Sequence, residues 1–194
     1  MLKEKLSKYN IILASGSPRR QQFFKELDID FTIKVKAIDE IYPNELKAAA
    51  ITNYLCKLKA KAYENELELN DIVITSDTIV WLNGEALEKP KNAEEAMTML
   101  QKLSNQTHEV ITSVCFKTCQ SEIVVEDKTY VTFAKLNQEM LTYYLQNYKP
   151  YDKAGSYGIQ EWIGLVGITK IEGSYCNVVG LPTHKVFDYF YHLD

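Results

Sequence analysis

The chain has 194 residues, 46% of them hydrophobic, and a formal net charge of −4. The apolar fraction is ample for a packed core and excludes disorder, while the length fits one domain, 1–194, built as two tightly packed lobes. Mild acidity excludes the broad basic surface of a non-specific nucleic-acid binder. No run approaches a membrane span, and MLKEKLSKYN lacks the apolar stretch of a secretory signal, so a cytoplasmic protein without membrane or nucleic-acid partners is expected.

In chain order, the apolar run 11–14 predicts a short buried strand. Ser17 as cap and Pro18 at the first position then predict a helix to Leu27, with Phe23, Phe24 and Leu27 on one side. FTIKV (31–35) alternates like a strand. Residues 44–64 carry Leu46, Ala50, Tyr54, Leu58 and Ala62 at helical spacing. Residues 71–82 are apolar and β-branched, hence strand, and Asn83-Gly84 is a hairpin turn. Asn92 caps a helix to about Leu103, with Glu94 and Glu95 in its first turn. Residues 107–119 and 121–134 predict two long paired strands, 137–148 a helix stopped by Pro150, and 182–193 a closing helix. Early alternation of strand and helix followed by antiparallel signals gives an α/β class, a mixed twisted sheet flanked by helices.

The four cysteines form no CxxC pair, and Cys115 and Cys119 on one strand would stand roughly 13 Å apart, too far to bridge. His108, His184 and His192 offer no matching zinc spacing, so reduced buried thiols are expected. His108 reads as a satisfied strand-end residue. Six of the eight glycines fall between Gly155 and Gly180, which suits either ordinary turns or loops closing on a ligand.

Arg19 and Arg20, in ASGSPRR, are the only arginines beside twenty lysines. In the first turn of a helix they oppose the macrodipole, a placement that makes sense where an anion binds. Ser15, Gly16 and Ser17 would let it approach backbone N–H groups, and the guanidinium fork matches phosphate oxygens. Two solvated surface arginines are the alternative. A Walker loop is absent. Asp77 interrupts the apolar run DIVITSDTIVW, where a carboxylate needs a partner or a cation, unless it is simply a turn or cap residue. Asp39-Glu40 follows the strand-like 31–35 segment and Lys89 follows the hairpin, and each taken alone reads as solvated surface. Acidic groups with a cationic cluster equip a chain for divalent-metal and phosphate chemistry.

Together these segments resemble the Maf family of nucleoside-triphosphate pyrophosphatases. The matching stretches are ASGSPRR (14–20), AIDE (37–40), LKAKA (58–62), SDTIV and LNGEALEKP (76–90), THEVITSV (107–114), DKAGSYGIQ (152–160) and NVVGLP (177–182), in family order across nearly the whole chain. The resemblance implies hydrolysis of a nucleoside triphosphate to the monophosphate and pyrophosphate, and a cleft between two lobes of a fold similar to that of inosine-triphosphate pyrophosphatases. By resemblance, Asp77 is the proton acceptor that activates water. Arg19, Thr78 and Gln160 match positions of substrate choice, in the pattern of the dTTP/UTP branch. Ser15, Arg20, Glu40, Lys59 and Lys89 match polar positions around the nucleotide. A divalent cation, Mg2+ or Mn2+, is expected on the triphosphate with Glu40 or Asp77. Many relatives are homodimers. The rival reading is a regulatory nucleotide-binding protein acting on cell division with little hydrolysis. The chain departs from the pattern at Ser76, where Ala is usual, and at Glu161, where many relatives have Gly, so the floor of that loop is expected to differ.

Overall fold

The structure is a computed structural model that describes residues 1–193. Its helices are α1 (Leu2–Leu6), α2 (Pro18–Glu26), α3 (Ala49–Lys61), α4 (Ala93–Leu103), α5 (Gln138–Tyr148), α6 (Trp162–Gly167), α7 (Tyr175–Val179) and α8 (Thr183–Tyr191). Its strands are β1 (Asn10–Leu13), β2 (Thr32–Ile33), β3 (Asp71–Leu82), β4 (Glu85–Leu87), β5 (Thr107–Lys117), β6 (Glu122–Phe133) and β7 (Ile168–Glu172). They form a seven-stranded mixed sheet in the order β2-β1-β3-β5-β6-β7, with β4 paired to β3. The fold is the expected mixed α/β. Contacts group the chain into two compact units, one of Met1–Asp77, Thr112–Asp127 and the chain from Gly180, the other of Thr78–Ile111 and Lys128–Val179.

In the first unit β1 runs parallel to both neighbours, Ile12 opposite Thr32 on β2 and Val73 on β3. Ile11 and Leu13, two apart and therefore on one face, are buried with Phe24 of α2, Ile72 and Ile74 of β3, and Phe190 of α8. The strand expected over 31–35 shrinks to two residues, because β1 is itself short and gives β2 only Ile12 and Leu13 to pair with. The helix expected from 44 starts at Ala49. Ala48 sits at φ 49°, outside the helical basin, and this breaks the pattern on its N-terminal side. The helix α3 still buries Ile51, Leu55, Cys56 and Ala60, the stripe its spacing requires.

In the second unit Asn83 (φ 50°) and Gly84 (φ 86°) make the hairpin turn that joins β3 to antiparallel β4. Asn92 caps α4 by accepting the Glu94 and Glu95 amides at 3.0 and 2.9 Å, and Ala96, Leu100 and Leu103 are buried along one stripe. Asn137 caps α5, accepting the Met140 amide at 2.9 Å, and the helix ends at Lys149, at φ 47°, just before Pro150. Antiparallel β7 pairs with β6 through an irregularity at Thr132–Phe133. His108 is buried, its Nε2 bonded to the Tyr157 hydroxyl at 2.7 Å, while Nδ1 has no hydrogen-bond partner among the described residues. Desolvation holds its pKa down at about 4, so the imidazole is neutral at neutral pH.

Only two of the four cysteines are buried. Cys56 and Cys115 pack together in the first unit, whereas Cys119 is exposed because β5 ends at Lys117, and Cys176 is half-buried. The hydrogen bond to Cys115, followed by burial, pushes the Cys56 thiol up. Among the described residues no helix is long and apolar enough to cross a membrane.

Candidate active site

Helix α2 begins as its sequence dictates, with Pro18 at the first position, where no backbone N–H is needed. Ser17 stands at the cap with extended backbone, but its hydroxyl makes no cap bond; the Ser15 hydroxyl instead accepts the Ser17 amide at 3.3 Å. The first turn holds no acid and two arginines, against the macrodipole preference. Arg20 is fixed in place. Its Nε donates to the Gly180 carbonyl at 2.9 Å, and Nη1 donates to the Ser76 carbonyl at 2.9 Å and the Ser15 hydroxyl at 3.5 Å. Desolvation lowers the guanidinium pKa, with Arg19 adding to the effect and Asp77 and Glu40 opposing it; arginine stays charged all the same. Arg19 is half-exposed beside it.

Asp77 lies in the middle of β3 and is 7% exposed, so it is neither a turn nor a cap residue. The Lys59 ammonium, from the last turn of α3, reaches Asp77 Oδ1 at 2.7 Å and Glu40 Oε2 at 3.1 Å. One ammonium thus bridges two carboxylates. The Lys59 and Asp77 side chains are 16% and 10% exposed, while that of Glu40, on the loop after β2, is 45% exposed. The helix is held over β3 by polar contacts as well, the Thr75 hydroxyl donating to the Cys56 carbonyl at 2.6 Å. Because side chains alternate along a strand, Thr75 and Asp77 share the face toward α3.

The first unit therefore assembles Ser15, Arg19, Arg20, Glu40, Lys59 and Asp77. Thr78, Lys89 and Gln160 belong to the second unit. There, Thr78 is half-buried on β3, Lys89 is exposed on the loop after β4, and Gln160 is exposed on the loop before α6. The Gly155 amide ties the last two segments together, donating to the Glu88 carbonyl at 3.2 Å. Gly155 has φ 65°, and a Cβ there would lie 2.9 Å from Val80 Cγ2, so only glycine lets this loop approach β3.

No group of three or more His, Cys, Asp or Glu side chains poised for a metal occurs among the described residues. The two carboxylates that meet at Lys59 nonetheless form a hard oxygen donor pair, the kind Mg2+ takes when substrate phosphates complete its shell. Glu40 and Asp77 fit that use. Sequence reasoning missed the carbonyls of Ser76 and Gly180 as anchors of Arg20, since Gly180 is 160 residues distant and a backbone acceptor leaves no mark in the sequence. It also missed the partners of Glu161 on α5 and at Lys153, although the departure at Glu161 pointed to the place.

A carboxylate-and-cation cluster on a mixed α/β sheet is the kind of equipment phosphate chemistry uses. The chain belongs to the Maf family, whose model, described as Maf-like protein, matches residues 10–193. A Flavobacterium johnsoniae protein named dTTP/UTP pyrophosphatase is 64% identical over 189 residues, 97% of each chain. Proteins of the same name from Flavobacterium psychrophilum and Christiangramia forsetii are 62% identical over 97% of each chain, and 53% identical over 96% of this chain and 95% of that one. A solved structure of the Staphylococcus aureus Ham1 protein aligns with a TM-score of 0.48 at 18% identity, covering 64% of this chain and 72% of that one.

Proposed function

We propose that this chain is a nucleoside-triphosphate pyrophosphatase that hydrolyses dTTP and UTP to the monophosphate and pyrophosphate in the cytoplasm. The observation that carries the reading is the Asp77–Lys59–Glu40 cluster, a buried carboxylate in mid-strand held by an ammonium shared with a second carboxylate. Membership of the Maf family and near-full-length relatives named for this activity support the choice of reaction and of bases.

In this proposal Asp77 orients a water for in-line attack at the α phosphorus and accepts its proton. Lys59 fixes the carboxylate through Oδ1, and Oδ2 is the atom assigned to take the proton. A divalent cation held by Glu40 or Asp77 would neutralise charge on the triphosphate oxygens. Arg20, immobilised by two carbonyls, keeps its positive charge where negative charge develops, so no reorganisation is needed during reaction. Arg19, Lys59 and Lys89 offset charge on the pyrophosphate leaving group. Arg19, Thr78 and Gln160 choose the substrate, and the Gln160 carboxamide offers one donor group and one acceptor to a pyrimidine edge.

The test is product analysis after incubation with dTTP, UTP, CTP and ATP in the presence of Mg2+. Monophosphate and pyrophosphate, formed fastest from dTTP and UTP, are expected. Diphosphate with orthophosphate, or no product from any triphosphate, overturns the reading.

A further inference from the structure

We infer that Glu161 is a positioning residue that fixes how Gln160 is presented to substrate; the inference rests on the proposed role of Gln160 in substrate choice. Glu161 stands at the N-terminal boundary of α6, yet its side chain makes no cap bond there. It turns back instead. Its Oε2 accepts a hydrogen bond from the Tyr144 hydroxyl, and that same hydroxyl oxygen accepts the Gly158 amide at 3.0 Å. Its Oε1 lies 3.0 Å from the Lys153 ammonium, with both side chains largely out of solvent at 23% and 11% exposure. The backbone closes the same turn, the Glu161 amide donating to the Gly158 carbonyl at 3.0 Å and the Gly164 amide to the Glu161 carbonyl at 2.9 Å.

The fit is tight. A Cβ on Gly158 would fall 2.8 Å from the Glu161 carboxyl carbon, and one on Gly164 only 1.9 Å from the Ile159 carbonyl oxygen. Tyr144 is fully buried on α5, and Ile159 is buried too, while Gln160 alone in 157–161 is exposed. Burial first, and the bond to Glu161 second, hold the Tyr144 phenol far above its ordinary pKa, so its proton stays in place to be donated.

The arrangement matters because a carboxamide reads opposite edges equally well when it is free to turn over. It discriminates only when its backbone is held, and a pre-ordered loop binds without the cost of ordering. Tyr144 and Lys153, acting through the Glu161 carboxylate, hold both flanks of Gln160. The residue before Gln160 is anchored by burial and the residue after it by charge.

Two readouts test this on the whole protein, in Glu161→Ala, Glu161→Gln, Tyr144→Phe and Gln160→Ala. The first is amide hydrogen exchange at Gly158, expected to rise about tenfold or more in Glu161→Ala and Tyr144→Phe. The second is the ratio of kcat/KM for UTP over CTP, expected to fall about tenfold in both variants through a higher KM for UTP, with kcat nearly unchanged. Glu161→Gln keeps an oxygen for Tyr144 and retains most of the ratio. Adding Glu161→Ala to Gln160→Ala lowers the ratio no further. A ratio lost in Gln160→Ala but kept in Glu161→Ala and Tyr144→Phe overturns the inference, as does unchanged Gly158 exchange. A ratio kept in Gln160→Ala overturns the reading of Gln160 itself. Should Glu161→Ala fail to fold, Tyr144→Phe, which deletes a single hydroxyl, decides both readouts.

Discussion

Asp71 and Asp77 stand on the same strand, six residues apart on one face, and are almost equally buried at 8% and 7% exposure. Their partners differ. Asp71 accepts from the Asn10 amide group and from the Glu68 backbone amide, both at 3.0 Å. These are neutral donors, one on the neighbouring strand and one in the turn leading into β3, and they lock the start of the strand to its register, Asn10 opposite Asp71. Asp77 is met by an ammonium on a four-carbon stem that also reaches Glu40. A carboxylate closed by fixed neutral donors has a structural task. One balanced by a cation shared with a second carboxylate keeps its other oxygen for a water or a metal ion, the use proposed for Asp77.

The largest expected effect breaks the second arrangement. Asp77→Asn keeps the shape and an oxygen for Lys59 but removes the proposed proton acceptor, so turnover should fall by about 10²–10⁴-fold. Nucleotide binding should survive, measured by calorimetry with a slowly hydrolysed triphosphate. Near-normal turnover would take Asp77 out of the mechanism. Next in size is Lys59→Met, which preserves stem length and deletes the charge. The loss of a preorganised cation should lower kcat/KM by about 10²-fold. Unchanged kinetics in a folded variant would reduce Lys59 to a buried counter-ion.

The converse experiment is Asp71→Ala. It strands the Asn10 amide group and the Glu68 amide, which should cost about 1–3 kcal/mol of stability in denaturant unfolding. Specific activity of the folded fraction should not change. If activity fell with Asp71 and stability with Asp77, the contrast between the two carboxylates would be reversed.

The sequence made part of this contrast legible. The strand over 71–82, the Asn-Gly hairpin and the Asn92 cap follow from local chemistry and stand where they were expected, and the helix expected over 137–148 begins one residue later behind its Asn137 cap. Asp77 drew attention as a charge in an apolar run, and the arginine pair as cations at the wrong end of a helix. Neither signal names a partner. Lys59 meets Asp77 across 18 residues, and Arg20 meets Gly180 across 160, so these bonds exist only once α3 and the chain end are packed. Asp71 begins the same run, yet its satisfied state depends on Asn10 lying opposite it, a matter of register. The late start of α3 was hidden for another reason, since helical spacing in 44–48 could not reveal the positive φ of Ala48. The short helices α1, α6 and α7 carry too few turns for a periodic signal.

The smallest expected effect has the opposite sign and concerns the residue beside Asp77. Ser76 points to the other face of β3, its carbonyl taken by Arg20 and its hydroxyl buried without a hydrogen-bond partner among the described residues. A buried hydroxyl in that state costs stability that a methyl group would not. Ser76→Ala should therefore leave turnover unchanged and stabilise the fold by up to about 1 kcal/mol, read as a higher denaturation midpoint. It compares two adjacent residues of one strand: Asp77, proposed to carry chemistry, and Ser76, whose hydroxyl is expected to answer to packing alone. A loss of turnover in a folded Ser76→Ala protein would mean that the hydroxyl finds its partner in bound substrate, and Ser76 would then join Thr78, two residues on along the same face of β3, in the proposed site.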